Sequence, residues 1–304
     1  MNPKKLSPYQ LDTLDNEICP YCGTLLGIDA TEDHVIGRRF VPIGTLHRSG
    51  NVRLKSCPSC NNHKKSRLEN DISAITMQPD AWGGLACDDK VLRAESSRKI
   101  SSESRLTGKP VSKSAVEEIV NISFNPQVNF SFRYGGPPQL HPERVFELAR
   151  LQLCGFAYWM SFDKKQRRGK WLPGVFKPLQ FAYRGDWGNP AMLAFMNLVA
   201  DWTDGLVAVF ADGFFKVAIR QDPTSPCWSW AFEWNRNVRV FGFNGENPAL
   251  DELLSMIPSR GLSFLAKRKE DGEEYIVRTR REMPLEERED KLFVSQSGKE
   301  RRRM

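Results

Sequence analysis

Apolar residues in this 304-residue chain fall into short periodic blocks separated by polar, proline- and glycine-bearing stretches. Leu68, Ile72 and Ile75 recur at steps of four and three, which is the spacing of one helix face, and predict a helix over about 60–76. A longer apolar block from Glu143 to Ser161, opening behind His141-Pro142, predicts another helix, as do Pro190–Trp202 and Pro248–Ile257. Ile119 to Tyr134 reads as strand, with Phe124, Val128, Phe130 and Phe132 in partial alternation. Leu206–Phe210 and Phe214–Ile219 flank Asp212-Gly213, a pair suited to a tight primed hairpin turn, and Leu262–Ala266 and Tyr275–Arg280 flank a second such pair at Asp271-Gly272. Trp228, Trp230, Phe232 and Trp234 occupy alternate positions and so share one face of a strand. In the lead-in, Leu6, Leu11 and Leu14 predict a short packing helix. Helices interspersed with hairpins make the larger part of the chain an α+β domain built on an antiparallel sheet.

Composition sharpens the division. A hydrophobic content of 40% supports a buried core. The stretch 89–113 is polar and serine-rich and reads as a linker or an exposed helix, between a small module at 1–88 and a larger domain at 114–280. Residues 281–304 are mostly charged, end in Arg301-Arg302-Arg303, and read as a mobile tail. Met1-Asn2-Pro3-Lys4-Lys5 is followed by no apolar signal region, and no apolar window reaches membrane-spanning length. The expected location is therefore cytoplasmic, without a membrane partner. Cysteine pairs in such a chain point to metal ligands rather than disulfides.

The net charge is +7. From His34 through Leu68 there is no acidic residue, while Arg38, Arg39, Arg48, Arg53, Lys55, Lys64, Lys65 and Arg67 are all basic. That footprint suits a polyanion such as nucleic acid, although a solvated basic face would look the same.

The same window holds the chemistry. Cys19-Pro-Tyr-Cys22 and Cys57-Pro-Ser-Cys60 each place two thiols on one knuckle, and together they supply the four thiolates of a closed tetrahedral zinc site. Between the knuckles lie Asp33-His34 and Asn51, and after the second comes Asn61-Asn62-His63-Lys64. This pattern resembles the HNH endonuclease family over about residues 15–76. One residue more than the commonest spacing separates Asn51 from Cys57. The resemblance implies a β-hairpin followed by a helix (the ββα-metal core), a structural Zn²⁺ on Cys19, Cys22, Cys57 and Cys60, and a catalytic Mg²⁺ or Mn²⁺.

In that reading His34 is the general base, since a neutral imidazole is the side chain most available near pH 7. Asn51 supports its geometry. Asp33 and Asn61 hold the divalent ion, while Lys64, Arg38 and Arg39 contact phosphate. His63 is the alternative ligand if the extra residue shifts the helical register. Each residue also has a plainer reading. Asp33-His34 could be an exposed pair, and Asn51 a turn residue. Asn61 could serve as a helix cap. Lys164, Lys165, Arg167, Arg168 and Lys170 could form a second phosphate contact or a solvated loop, and the tryptophan stripe could stack bases or fill a core. The implied function is a DNA endonuclease or nickase of a restriction or anti-phage defence system, with DNA and other subunits of that system as partners. The alternatives are a non-catalytic zinc-dependent nucleic-acid-binding module of a larger assembly and an RNA-directed nuclease.

Overall fold

Three short strands open the fold: β1 (Leu11–Thr13), β2 (Thr31–His34) and β3 (Asn51–Ser56), arranged in the order β1-β3-β2. The computed structural model describes residues 11–47, 50–78, 90–114, 116–125, 128–258, 266–270, 273–277 and 283–296. The pleat sorts β3 by polarity: Val52 and Leu54 are buried, while Arg53 and Lys55 reach the outer face. β2 runs antiparallel to β3, pairing His34 with Arg53. β1 runs parallel to β3, so Leu11 lies in a strand where the lead-in pattern suggested a helix. Paired backbone along β3 outweighs a three-leucine periodicity too short to sustain a helix. Leu6 and the rest of residues 1–10 lie outside the described residues.

Pro58 starts the helical run after β3, as its locked φ and missing N–H permit at a first turn. A short α1 (Pro58–Cys60) leads into a π turn over Asn61–Lys65 and then α2 (Ser66–Thr76). The π turn closes its backbone hydrogen bonds over one residue more than an α-helix, as Ser66 N to Asn61 O shows, and such bulges favour functional sites. Leu68, Ile72 and Ile75 are buried on α2, as their spacing predicted. α3 (Lys90–Ile100) packs beside α2, within the stretch read as a linker or exposed helix. It buries Leu92 and Lys99; the Lys99 ammonium donates to Arg39 O and Ser73 Oγ, both at 2.6 Å.

β4 (Val116–Asn125) and β5 (Val128–Gly136) pair antiparallel, two strands where the pattern over 119–134 read simply as strand. Next comes α4 (Pro142–Met160), then β6 (Val175–Tyr183) and α5 (Pro190–Leu198). β7 (Thr203–Phe210), β8 (Phe215–Gln221), β9 (Trp228–Trp234) and β10 (Val238–Gly245) follow, then α6 (Asn247–Ser255). β6 to β10 make a five-stranded antiparallel sheet in the order β6-β10-β9-β8-β7. β11 (Ala266–Glu270) and β12 (Glu273–Val277) pair with each other and extend the β4–β5 hairpin into a four-stranded sheet. Their Asp271-Gly272 turn, and Leu262 at the start of the predicted strand, lie outside the described residues. The β7–β8 connection is longer than a two-residue turn: Ala211, Asp212 and Gly213 all adopt positive φ. The chain is thus a mixed α/β fold, and none of its described helices is long and apolar enough to cross a membrane.

The five-stranded sheet is covered on both faces, so every residue of β9 is buried. Trp228, Trp230, Phe232 and Trp234 face α4 and the first sheet, in one hydrophobic cluster with Val35, Phe40, Val52, Ile72 and Phe156. The tryptophan stripe is therefore core. On the other face Phe241 and Phe243 meet Phe195 of α5, Leu250 of α6 and Leu292. Leu292 belongs to residues 283–296, which the charge pattern assigned to a mobile tail. Instead they strap across the sheet, because Asp290 pairs with the buried Arg239, and Ser295 and Gln296 both donate to Asp204. Arg301-Arg302-Arg303 lie outside the described residues.

The first sheet and the large sheet share more than apolar contact. Phe40 packs edge-on against Trp234 with ring centres 5.4 Å apart. Asn235, in the β9–β10 turn, donates to Phe40 O (3.0 Å) and Thr76 Oγ1 (2.8 Å), while Asn237 donates to Thr76 O (3.1 Å) and Gln78 O (2.9 Å). Asn235 and Arg236 have φ of 53° and 57°, the left-handed pair of a primed turn, within the three-residue connection Asn235 to Asn237 between Trp234 and Val238. Asn235→Gly should keep this turn and lose the two side-chain bonds, at a cost of about 1–3 kcal/mol. Asn235→Ala should cost about 1 kcal/mol more, through left-handed strain. Urea unfolding of the full chain measures both, and equal stability of the two variants would contradict the turn's contribution.

Candidate functional site

The Cys19–Cys22 knuckle closes through Cys19 N to Thr24 O (2.9 Å) and Gly23 N to Cys19 O (2.9 Å), with Gly23 at φ 78°. The second knuckle is the start of the helical run, where the N–H groups of Cys60 and Asn61 both reach Cys57 O at 3.1 Å. The four Sγ atoms lie within 4.8 Å of one another, and Cys22 and Cys57 are 3.7 Å apart. A tetrahedral thiolate site with metal–sulfur bonds of about 2.3 Å has edges of about 3.8 Å. The cluster therefore has the dimensions to hold a metal ion. Burial pushes the Cys19 thiol up to about 11 and the Cys60 thiol higher still. Four thiolates this close need a cation to offset their repulsion, and binding one would release their protons.

Beyond the cluster, β2, the turn after it and the helical run border a cleft of about 1300 Å³. His34, at the end of β2, is half-buried on its wall, and its ring takes no hydrogen bond among the described residues. Burial first, then the nearby Arg38 guanidinium, hold its pKa below the ordinary value, so the imidazole is neutral at pH 7. Asn51 does not touch it. The Asn51 side chain is buried and clamps the backbone two residues beyond: Nδ2 donates to Ile36 O (2.9 Å), and Oδ1 accepts from Val52 N (2.8 Å) and Ile36 N (3.4 Å). It thereby fixes the turn that carries His34.

Asn61 opens the π turn and donates through Nδ2 to Thr31 Oγ1 (3.0 Å) and Glu32 O (3.2 Å), which pins the helix start to β2. Its amide oxygen takes no hydrogen bond among the described residues. His63 is exposed and borders the same cleft as Asn61, although an α-helical spacing would have turned them apart. Arg38 and Arg39 are exposed on the cleft wall.

Lys64 departs from expectation. It faces α4, where its ammonium pairs with Glu147 at 2.5 Å, and does not border this cleft. Lys65 points inward in its place, because the π turn adds one residue before the α-helix resumes. Its side chain is 0% exposed, and its ammonium meets Asp33 Oδ1 (3.2 Å), Glu69 Oε1 (2.9 Å) and His34 O (2.7 Å). Tyr21 donates its hydroxyl to the other Asp33 oxygen. Burial would drive the Lys65 ammonium down, but Asp33 and Glu69 more than offset this and raise its pKa. Burial raises the Tyr21 phenol, and Asp33 raises it further, so it stays a donor. Glu69 is pushed up to about 6 by burial against the pull of Lys65. Its Oε1 also accepts from Gly37 N (3.0 Å), and a side chain at Gly37 would collide with the Glu69 carboxylate.

Sequence reasoning missed Tyr21, Glu69 and Arg105, and it counted Lys65 and Arg67 only as part of the basic footprint. Lys65 and Glu69 did carry a signal, an i,i+4 ion-pair spacing on a helix otherwise read only for its apolar face. Arg105 arrives from the segment after α3 and borders the cleft beside Arg67. Glu32 pairs with Arg53 at 3.0 Å, and Asp33 and Glu69 are matched by Lys65. Arg38, Arg39, Arg67 and Arg105 form no ion pair among the described residues, so the open wall is net positive. In the second basic loop Arg167 is spent on Asp15 (2.7 Å) and Glu17 (2.6 Å), anchoring the lead-in, while Lys164, Lys165 and Arg168 stay exposed.

No protein-family model, curated protein or solved structure matches this chain. Its site is read from its own geometry. Asn51→Ala should strand two backbone N–H groups and a carbonyl inside the turn and cost about 2–4 kcal/mol. Hydrogen exchange should show faster opening of residues 34–37 than of β8 and β9, and uniform loosening would contradict a local clamp.

Proposed function

We propose that this chain is an HNH-type endonuclease or nickase that hydrolyses DNA phosphodiester bonds, with a zinc ion on the four cysteines as its structural staple. The observation that best supports this reading is His34. A neutral imidazole, open to a cleft with an arginine wall, stands on a turn clamped by Asn51 and beside a helix stapled to the same hairpin. As base, the His34 ring takes a proton from water while the water oxygen attacks phosphorus; the bond to the leaving sugar oxygen breaks, and that oxygen takes up a proton from solvent water. Arg38, Arg39, Arg67 and Arg105 would hold the phosphates and offset the charge that grows on the reacting one.

The resemblance also implies Mg²⁺ or Mn²⁺, which when bound would stabilise the leaving oxygen. Asn61 has an open amide oxygen for such an ion. Asp33, the other expected ligand, does not fit: both of its oxygens are engaged, one of them by an ammonium. No step is therefore assigned to the ion.

With supercoiled plasmid and Mg²⁺ or Mn²⁺, the protein should produce nicked or linear DNA. His34→Ala should lose about 10²–10⁴-fold of that rate with DNA affinity nearly intact. The same Asp33 geometry favours a second reading, a non-catalytic nucleic-acid-binding module. Steeply salt-dependent DNA binding with no cleavage in either metal would select it. For the staple, metal analysis should find about one zinc per chain. Cys57→Ser should lose zinc and destabilise β2, β3 and the helical run; protein without zinc that keeps full stability and activity would remove the claim.

A further inference from the structure

We infer that Asp33 is the counter-ion of the buried Lys65 ammonium and a positioning residue beneath His34, and not a ligand of a divalent ion. The inference rests on the proposed nuclease reading only for the role given to His34; the ion arrangement stands without it.

Three observations support it. Asp33 is only 5% exposed, and its two oxygens receive Tyr21 Oη and Lys65 Nζ. The Lys65 ammonium has three protons and three acceptors, Asp33, Glu69 and His34 O, so it has no donor to give up without leaving a buried acceptor unmatched. A divalent ion on Asp33 would also have to sit beside that fixed positive charge, where Coulomb repulsion is weakly screened. The contact that matters for His34 is its own carbonyl, held at 2.7 Å by the same ammonium. Asp33 holds Lys65, Lys65 holds the carbonyl of His34, and Asn51 holds the backbone two residues beyond.

The experiment uses the full chain with its native metal content. Mn²⁺ binding is followed by the loss of the free-ion EPR signal for the wild type, Asp33→Asn and Asn61→Ala. Asparagine keeps the shape and an acceptor oxygen, and the Lys65–Glu69 pair remains, so Asp33→Asn should fold. Its Mn²⁺ affinity should stay within about twofold of wild type, whereas losing even an outer-shell partner of a bound metal typically costs about 10–100-fold. A tenfold loss in folded Asp33→Asn would overturn the inference. A wild type that binds no Mn²⁺ at all would agree with it while removing the metal-dependent part of the nuclease reading.

The positioning role is read separately, from the histidine ring signals in ¹H–¹³C NMR; the chain has only four histidines, and His34→Ala assigns the peak. Asp33→Asn should move the His34 signal and leave that of the distant His141 in place. An unmoved His34 signal would overturn the positioning claim. Finally, Lys65→Met strands two buried carboxylates and should lower the unfolding midpoint strongly. Adding Asp33→Asn to it should raise the midpoint again, since one stranded charge is removed. If Lys65→Met does not fold, the folding yield of the double variant serves as the same readout, and a further loss in the double variant would contradict the pairing.

Discussion

A lysine ammonium buried without solvent organises the candidate site. Taking such a charge out of water costs several kcal/mol unless acceptors surround it. Lys65 finds them on two elements: the carboxylate of Asp33 and the backbone carbonyl of His34 on β2, and Glu69 one turn along the helix. Glu69 in turn accepts the Gly37 amide, and Tyr21 closes the far side of Asp33. Strand, turn, knuckle and helix thus meet around that one charge. The four-cysteine cluster, which could hold a metal ion, joins the same hairpin and helix from the other end. Between these two fastenings the His34 turn has little freedom, which is what the general base of the proposed reading needs.

The larger sheet is not a separate appendage behind this site. Phe40 leaves the His34 turn to enter the same hydrophobic cluster as Phe215 and Trp234, and its carbonyl is held by Asn235. Val35 lies so close to α4 that a side chain at Gly155 would meet it. Trp159 of α4 donates to Asp12 on β1, and Arg144 of α4 pairs with the buried Asp71 on α2. Any event that shifts the large sheet or α4 therefore reaches the backbone beside His34 through packed contacts, which supplies a physical route for control in the proposed reading.

Charge in the cleft is a product of folding. The basic run from Arg38 to Arg67 has no acid within it, yet the fold brings Glu32, Asp33 and Glu69 to the same walls from just outside it. Each acid is matched locally, so the positive character survives on the four arginines that lack an ion pair among the described residues. One of these, Arg105, comes from a segment whose composition said only that it was polar.

The sequence by itself determined the parts that depend on spacing and local pattern. Two Cys-x-x-Cys knuckles can present four sulfurs to one centre, and the spacing of Leu68, Ile72 and Ile75 makes one buried helix face. The apolar block after His141 is a helix, and the alternation of Trp228 to Trp234 is a strand. Only the tertiary structure decided which polar side chains turn inward. Lys64 and Lys65 are chemically identical neighbours, and a single π turn sends the first to Glu147 and the second beneath His34. The charged segment 283–296 looks solvated until Arg239 offers Asp290 a partner across 51 positions of sequence. Leu11 looks helical until β3 offers it a paired backbone. In each case the deciding interaction is long-range, and a one-dimensional pattern records the residue but not the partner that compensates its burial.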